Sequence, residues 1–509
     1  MHDSIWPGLP TPGGIQQTRR SFFTASAGGG MAGLAALASL LERDGLLERN
    51  QLRAEEPEAI ANPLAPRPPH HLGRAKNCIL IFLAGGTSHL ELFDPKPRLV
   101  ELDGQPIPDS FLKGVRFSFV KPGQSVLMAS RHGFRRYGES GMELSELLPH
   151  IGACADDIGL VRSMHHGAFD HAPGELEMLT GRDQPGRPSL GAWLSYGLGS
   201  ESANLPAFVA LINQRGPVAR AMAWGSGYLP SLHQGVLLRG EGEPILNLST
   251  PEGIAPEQHR AQLDAVRRLN RVNVGRTRDP EIEARTAAYE LAFRMQSAAP
   301  ELIELGSETA ETRDLYGVDR EGQPGVFARN CLLARRLVER GVRMVTLFQR
   351  TWDHHKNLDG DLQSQCREVD QPIGGLLRDL KRRGLLDSTL VIWGTEFGRT
   401  AITENATSGK AAGRDHHPHC FSLWLAGGGV RGGTVIGASD ELGWHTASDP
   451  VHTHDFHATV LHLLGLDHTR LTYRHRGLEQ RLTDVAGRVV ESLVGSRDVA
   501  TVGNGTARF

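Results

Sequence analysis

Thr389-Leu-Val-Ile-Trp-Gly-Thr-Glu-Phe-Gly398 begins as an apolar run of β-branched and aromatic residues and ends in a glycine, a hydroxyl and an acid. It shows no polar alternation, so it reads as a strand covered on both faces, as in a parallel sheet between two layers of helices. Upstream, Val369, Ile373, Leu376, Leu377 and Leu380 recur at helical spacing between Gln365 and Gly384, charged residues crowd the last turns, and Gly384 is placed to end the helix. A similar run, Arg343-Met-Val-Thr-Leu-Phe348, precedes that helix, and a third, Phe421-Ser-Leu-Trp-Leu-Ala426, follows Gly398. The three are expected to be neighbours in one parallel sheet. Cys78-Ile-Leu-Ile-Phe-Leu83 reads as the first core strand, Leu144 to Asp156 as an amphipathic helix and Ile158 to Arg162 as a further strand. The expected fold class is therefore α/β, a mostly parallel sheet with helices on both faces.

In such sheets ligands sit beyond the carboxyl ends of the strands. Three clusters fall at or beside strand ends here: WDHH (Trp352 to His355), GTEFG (Gly394 to Gly398) and RDHHPH (Arg414 to His419). Asp353, His354, His355, Glu396, His416 and His417 are the candidate metal ligands. Mixed imidazole and carboxylate donors favour Zn, Mn or Fe over Ca, and leave the number of ions open. The first strand ends in Gly85-Gly-Thr-Ser-His89, where Gly85, Gly86 and Ser88 are candidates for holding an anion. Arg399 and Arg414 offer paired N–H donors to a sulfate or phosphate. His171 and His89 are candidates for proton transfer. Each also has a plain reading: hydrogen-bonded core histidines, an Asp353 that caps the next helix, arginines that only neutralise carboxylates.

With 509 residues and 39% hydrophobic content the chain can bury a large core, while a formal charge of -3 and no basic stripe give no reason to expect nucleic acid. The five cysteines are scattered and read as buried apolar residues rather than a disulfide framework. Thr18-Arg-Arg-Ser-Phe-Phe23, a weakly apolar Thr24 to Leu41 and the small residues Ala36-Leu-Ala38 resemble a twin-arginine export signal over residues 1–41. Gly28-Gly-Gly30 breaks that stretch too early for a membrane span, so no stable span is expected after cleavage. The export machinery is then a partner, and the periplasm or the exterior the destination. Residues 42–71 read as a linker, Pro-rich from Glu56 to His71, 72–490 as the α/β domain, and 491–509 as a flexible tail. Within the domain an insertion at about 201–325 contains a strand, Phe208 to Ile212, and two charged helices, and is expected to be a lid or a substrate-facing subdomain.

Three segments in order resemble sulfatases: Leu144 to Gly181, ending HAPGELEMLTG; PIGGLLRDLKRRGLLDSTLVIWGTEFG, ending at Gly398; and Asp455 to Leu466, DFHATVLHLLGL. With GGTSHLELFDPKP, WDHH, GTEFGRT and GRDHHP, the pattern is similar to the bacterial sulfatase-like family catalogued as domain of unknown function 1501, in the alkaline phosphatase-like superfamily. The resemblance covers roughly residues 70 to 490. It implies one metal position from Asp353, His354 or His355, and His416 or His417. At the second metal position Gly85-Gly86 stands in the acidic place and Glu396-Phe397 replaces Asp-His, so ligands are lost there. His171 stands where sulfatases place the nucleophile; Pro173 fits that motif, and Glu175 replaces its Arg. The activity implied is hydrolysis of a sulfate or phosphate ester, in a small molecule or a sulfated or phosphorylated polymer. A divalent metal would act as Lewis acid and lower the pKa of a bound water, with His171 or His89 nearby for proton transfer. The competing expectation is a catalytically lapsed member that binds carbohydrate or an anionic polymer in the cell envelope.

Overall fold

Asn77–Ala84 (β1) runs through the middle of a nine-stranded sheet and is buried along its whole length. Its side chains alternate as a period of two requires. Ile79, Ile81 and Leu83 enter the core on one face, while Cys78, Leu80, Phe82 and Ala84 enter the core on the other. Each large aliphatic or aromatic side chain buried this way contributes about 1.5–3 kcal/mol. The computed structural model describes residues 63–113, 120, 122–213, 215–239, 245, 253–277, 279–320, 325–404 and 411–495. Residues 1–41, where an export signal is expected, and the tail beyond 495 lie outside the described residues.

The other sheet strands are β2 (Ile158–His165), β3 (Phe208–Asn213), β4 (Val236–Leu238), β5 (Met344–Arg350), β6 (Thr389–Gly394), β9 (Phe421–Ala426), β10 (Thr434–Ile436) and β11 (Val451–His452). Their order is β10, β2, β9, β6, β1, β5, β3, β4, with β11 also paired to β2. Between β6 and β9 the chain forms a separate ribbon of β7 (Gly398–Thr403) and β8 (Arg414–His417). Helices α1 (His171–Thr180), α2 (Leu190–Leu198) and α7 (Thr453–Leu463) cover one face; α5 (Val326–Glu339) and α6 (Leu358–Arg382) cover the other. Between α2 and α5 lie α3 (Pro256–Thr277) and α4 (Pro280–Ile303).

The sheet is mostly parallel, as expected, but its neighbours differ from the sequence reading. β1 lies between β5 and β6, and β9 pairs antiparallel with both β6 and β2. An antiparallel strand enters from the carboxyl edge of its neighbours. That is why RDHHPH, which precedes β9, reaches the same edge as clusters that follow strands. Leu144 to Asp156 is not a helix: Met142–Ser145 pairs with Phe134–Tyr137, and a single turn at Pro149–Gly152 follows. Pro149 suits a first turn, and a separate 3-10 turn at Ala155–Asp157 leads into β2. The expected insertion starts inside the sheet, because β3 and β4 extend it beyond β5. The tail is anchored at its start, where Arg431 N–H donates to Leu493 O (2.8 Å) and Gly495 N–H to Gly429 O (2.8 Å). All five cysteines are buried and free. No helix among the described residues is long and apolar enough to cross a membrane.

Two glycines let the WDHH turn wedge between its neighbours. A Cβ on Gly85 (φ +124°), just past β1, would stand 2.5 Å from the Asp353 nitrogen, and one on Gly413 would stand 2.0 Å from the His355 carbonyl carbon. Beside them Thr351 holds φ +121°, an uncommon state for a β-branched residue. Gly85→Ala combines a forbidden φ with a backbone clash and is expected to cost about 2–4 kcal/mol of stability. Chemical denaturation checks this; an unchanged midpoint would show that the turn does not depend on that contact.

Candidate metal centre

His171, Asp353, His355 and His416 each offer one donor atom, all within 4.8 Å of one another. They come from different places in the chain: the first position of α1, the turn after β5, and the strand that feeds β9. Each imidazole is oriented from behind. His171 Nδ1 lies 2.8 Å from Glu396 Oε1, His416 Nδ1 lies 3.0 Å from the Phe169 carbonyl, and His355 Nδ1 is hydrogen-bonded to Glu404. These acceptors place the proton on Nδ1 and leave the Nε2 lone pairs pointing inward, the arrangement by which outer carboxylates and carbonyls fix metal-binding histidines.

Inside the cluster the donors crowd one carboxylate. Asp353 Oδ1 lies 2.8 Å from His355 Nε2 and 3.3 Å from His416 Nε2, while Oδ2 lies 3.1 Å from His171 Nε2. His355 Nε2 and His416 Nε2 are only 3.1 Å apart. Two lone pairs at that separation repel unless a proton or a metal cation lies between them. The donor set of three imidazoles and one carboxylate therefore fits a metal cation.

Without a metal, protons take the cation's place. Burial lowers His171, but hydrogen bonds to Asp353 and Glu396 outweigh it and push the imidazole up to about 10. Burial raises Asp353, yet the imidazoles of His171, His355 and His416 together with Arg399 hold it far below the usual carboxylate range. Burial pulls His355 down, and Asp353 more than restores it, whereas for His416 burial wins and the ring is lowered.

Arg399 is fully buried and committed to the protein. Its Nη2 donates to Asp353 Oδ1 (2.6 Å), Nε to the Gly86 carbonyl (2.9 Å) and Nη1 to the Arg414 carbonyl (2.9 Å). It holds Asp353 in place and, being fully buried, presents no face to an external anion. Arg414 is likewise engaged, through Nε and Nη2 on Glu91 Oε1 (3.0 and 2.6 Å), Nη1 on Thr400 O (3.0 Å) and Nη2 on Met128 O (2.8 Å). The expected anion role of both arginines is corrected on this ground. The Gly85 N–H does meet an anion, but the anion is the protein's own Glu396 (2.7 Å). Ser88 Oγ turns to Glu91, and the Gly86 carbonyl takes Arg399.

Glu396 stands behind His171 rather than in the cluster. Burial raises it, and the His171 bond brings it below its ordinary value. Next to it the Phe397 ring packs against the imidazoles of His416 and His171. The ring lies 4.5 Å from His416 and 5.3 Å from His171 between centroids, and a Cβ on Gly86 would stand 2.6 Å from it. His417 alternates away from His416 along β8, and its Nε2 bonds to the Trp444 carbonyl. His354 is buried outside the group and pushed by burial down to about 3. His89 is buried with Nε2 on the Gly443 carbonyl (3.0 Å) and stands outside the group of four. Glu404 gave no signal in the sequence, since it only ends the run GRTAITE.

Residues 75–494 match the family described as protein of unknown function (DUF1501). The chain belongs to the DUF1501 family. No curated protein matches it. Among solved structures, the DUF1501 chain matches the lipoteichoic acid synthase LtaP from Listeria monocytogenes at 8% identity, over 83% of this chain and 79% of that one, with a TM-score of 0.35. It matches the PsFucS1 sulfatase from Pseudoalteromonas sp. at 12% identity, over 77% and 68%, with a TM-score of 0.33. A third match is the phosphonate monoester hydrolase SpPMH from Silicibacter pomeroyi at 12% identity, over 82% and 76%, with a TM-score of 0.29.

Metal loading of this DUF1501 protein is expected to release protons. His171, with its raised value of about 10, carries a proton near neutral pH in the metal-free chain, so the ion must displace it. Affinity should therefore rise with pH by up to about tenfold per unit across the neutral range and weaken on acidification. Calorimetric titration in buffers of different ionisation heat reads the proton count; a count of zero would show that no protonated ligand is displaced.

Proposed function

We propose that this protein is a metal-dependent hydrolase of sulfate or phosphate esters that works without a side-chain nucleophile. The observation that carries the reading is the His171–Asp353–His355–His416 cluster, with Nε2 atoms turned inward and orienting acceptors behind three rings. A divalent ion held by these residues would supply Lewis-acid chemistry to an ester oxygen and to water.

The chain's own groups define the rest. His171 occupies the position that the sulfatase resemblance gives to the nucleophile, but Glu396 and Asp353 engage its two ring nitrogens. It is a ligand and not an attacking group. The Asp353 side chain is 39% exposed and His355 25%, so the cluster opens to solvent on that side. Thr351, Lys356 and Asn357, on the same turn, are exposed. Lys356, exposed and three residues after Asp353, is a candidate to meet an anionic ester, whereas Arg399 and Arg414 are fully buried.

A second reading, a non-catalytic binder of carbohydrate or an anionic polymer, is favoured by one observation. Four protein donors suffice to close a tetrahedral shell, as in structural metal sites. Metal analysis followed by assays with 4-nitrophenyl sulfate and 4-nitrophenyl phosphate separates the two. The enzyme reading expects about one ion per chain and turnover of one substrate, with Asp353→Asn losing the ion and at least about 100-fold in rate. A metal-loaded protein that turns over neither ester supports the binder.

Export through the twin-arginine route is part of the same proposal and rests on Thr18-Arg-Arg-Ser-Phe-Phe23. Replacing Arg19 and Arg20 together by Lys is expected to retain the protein in the cytoplasm, as cell fractionation would show. Export of that variant at the normal level would remove this part of the reading.

A further inference from the structure

The 22-residue helix α3 is about 33 Å long at the rise of an α-helix. None of its described side chains is buried. α4 holds it along one side. Arg260 gives both terminal nitrogens to Glu290 (2.8 and 2.9 Å) and lies over the Phe293 ring, and Asn270 Nδ2 donates to Thr286 Oγ1 (2.9 Å). These contacts fix which way the helix faces. Ala261, Ala265, Leu269 and Val272, spaced four, four and three residues apart, form a line on the side turned away from α4, with Val266 at its edge. Val266, Leu269 and Val272 are 38%, 42% and 40% exposed. A helix on a globular protein ordinarily turns its apolar line inward, whereas this one points out.

The same side is basic. Arg268, Arg271 and Arg276 are exposed and form no ion pair among the described residues. Arg268 and Arg276 stand one turn before and one turn after Val272, so guanidiniums fringe the aliphatic line. The helix carries two acids. Asp264 is taken by Arg260 (2.6 Å) and Arg267 (3.5 Å), and Glu257 lies in the first turn, away from the three arginines along the chain. An aliphatic line fringed by unpaired arginines suits the interfacial layer of an anionic bilayer, where apolar side chains enter the acyl boundary and guanidiniums meet phosphates. A second copy meeting this face across a two-fold axis would set arginines against arginines, with no free acid to offset them. A soluble anionic polymer would leave the aliphatic line in water.

We propose that the outer face of α3 docks the protein on an anionic lipid surface, with Val266, Leu269 and Val272 in the acyl boundary and Arg268, Arg271 and Arg276 on phosphate headgroups. The inference uses no residue of the metal centre and stands apart from the hydrolase reading. It gives part of the 201–325 stretch a place at a membrane surface, beside the expectation of a lid.

Flotation of the full chain with vesicles of phosphatidylcholine, alone or mixed equally with phosphatidylglycerol, tests the surface. Binding is expected to the mixed vesicles only, and weakens as salt rises. Replacing Arg268, Arg271 and Arg276 together by Gln is expected to weaken binding at least about tenfold at unchanged melting temperature. Leu269→Ser combined with Val272→Ser is expected to weaken it about tenfold as well. Arg19 and Arg20 are common to all three proteins, so the differences report α3. Sedimentation without lipid gives the state of association. No binding to mixed vesicles, equal binding to both vesicle types, or wild-type binding by either variant would overturn the proposal. A dimer that Leu269→Ser with Val272→Ser dissociates would overturn it too, by assigning the face to a second copy.

Discussion

The ionised carboxylate of Asp353 organises this edge of the sheet. A fully buried guanidinium such as Arg399 is tolerable only beside an opposite charge and with its N–H donors satisfied. Asp353 supplies the charge, and the carbonyls of Gly85, Gly86 and Arg414 supply the remaining acceptors. The same carboxylate draws three imidazoles together. Arg399 thus ties the end of β1, the turn after β5 and the β7–β8 ribbon to one point. The glycine at 85 is there because that point brings backbones too close for any side chain.

Much of the fold is legible in the sequence because β1, β5, β6 and β9 are covered on both faces and carry unbroken apolar runs. The direction of β9 is not legible. A strand buried on both sides has the same composition whichever way it runs, and only its partners β6 and β2 set its sense. Leu144 to Asp156 misleads for another reason. Its apolar residues face the core from a short strand and a turn, and so few residues fit a helical period as easily as the path they follow.

The site is legible as a region more than as a set of roles. Clusters of acid and imidazole after apolar runs point to the correct edge, and His171, Asp353, His355 and His416 do converge. Which histidine of each pair turns inward depends on local geometry. His416 and His417 alternate along β8, whereas His354 is carried into the core by the turn. Glu396, Arg399 and Arg414 have the right chemistry for ligands or anion holders, yet each is consumed by a partner far away in sequence. Phe397 shows the converse: an apolar residue in a polar motif packs its ring against the imidazoles of His171 and His416.

The single antiparallel strand also sets an order of assembly. β9 sits between β2 and β6, whose residues are more than 200 positions apart in the chain, so its slot exists only after both have taken their places. Pairings of such separation form late. His416 rides on the segment that leads into β9, and the fourth donor reaches the others only when the slot is filled. An ion held at this edge would therefore report that the sheet has closed, and a chain arrested earlier would lack the means to retain one.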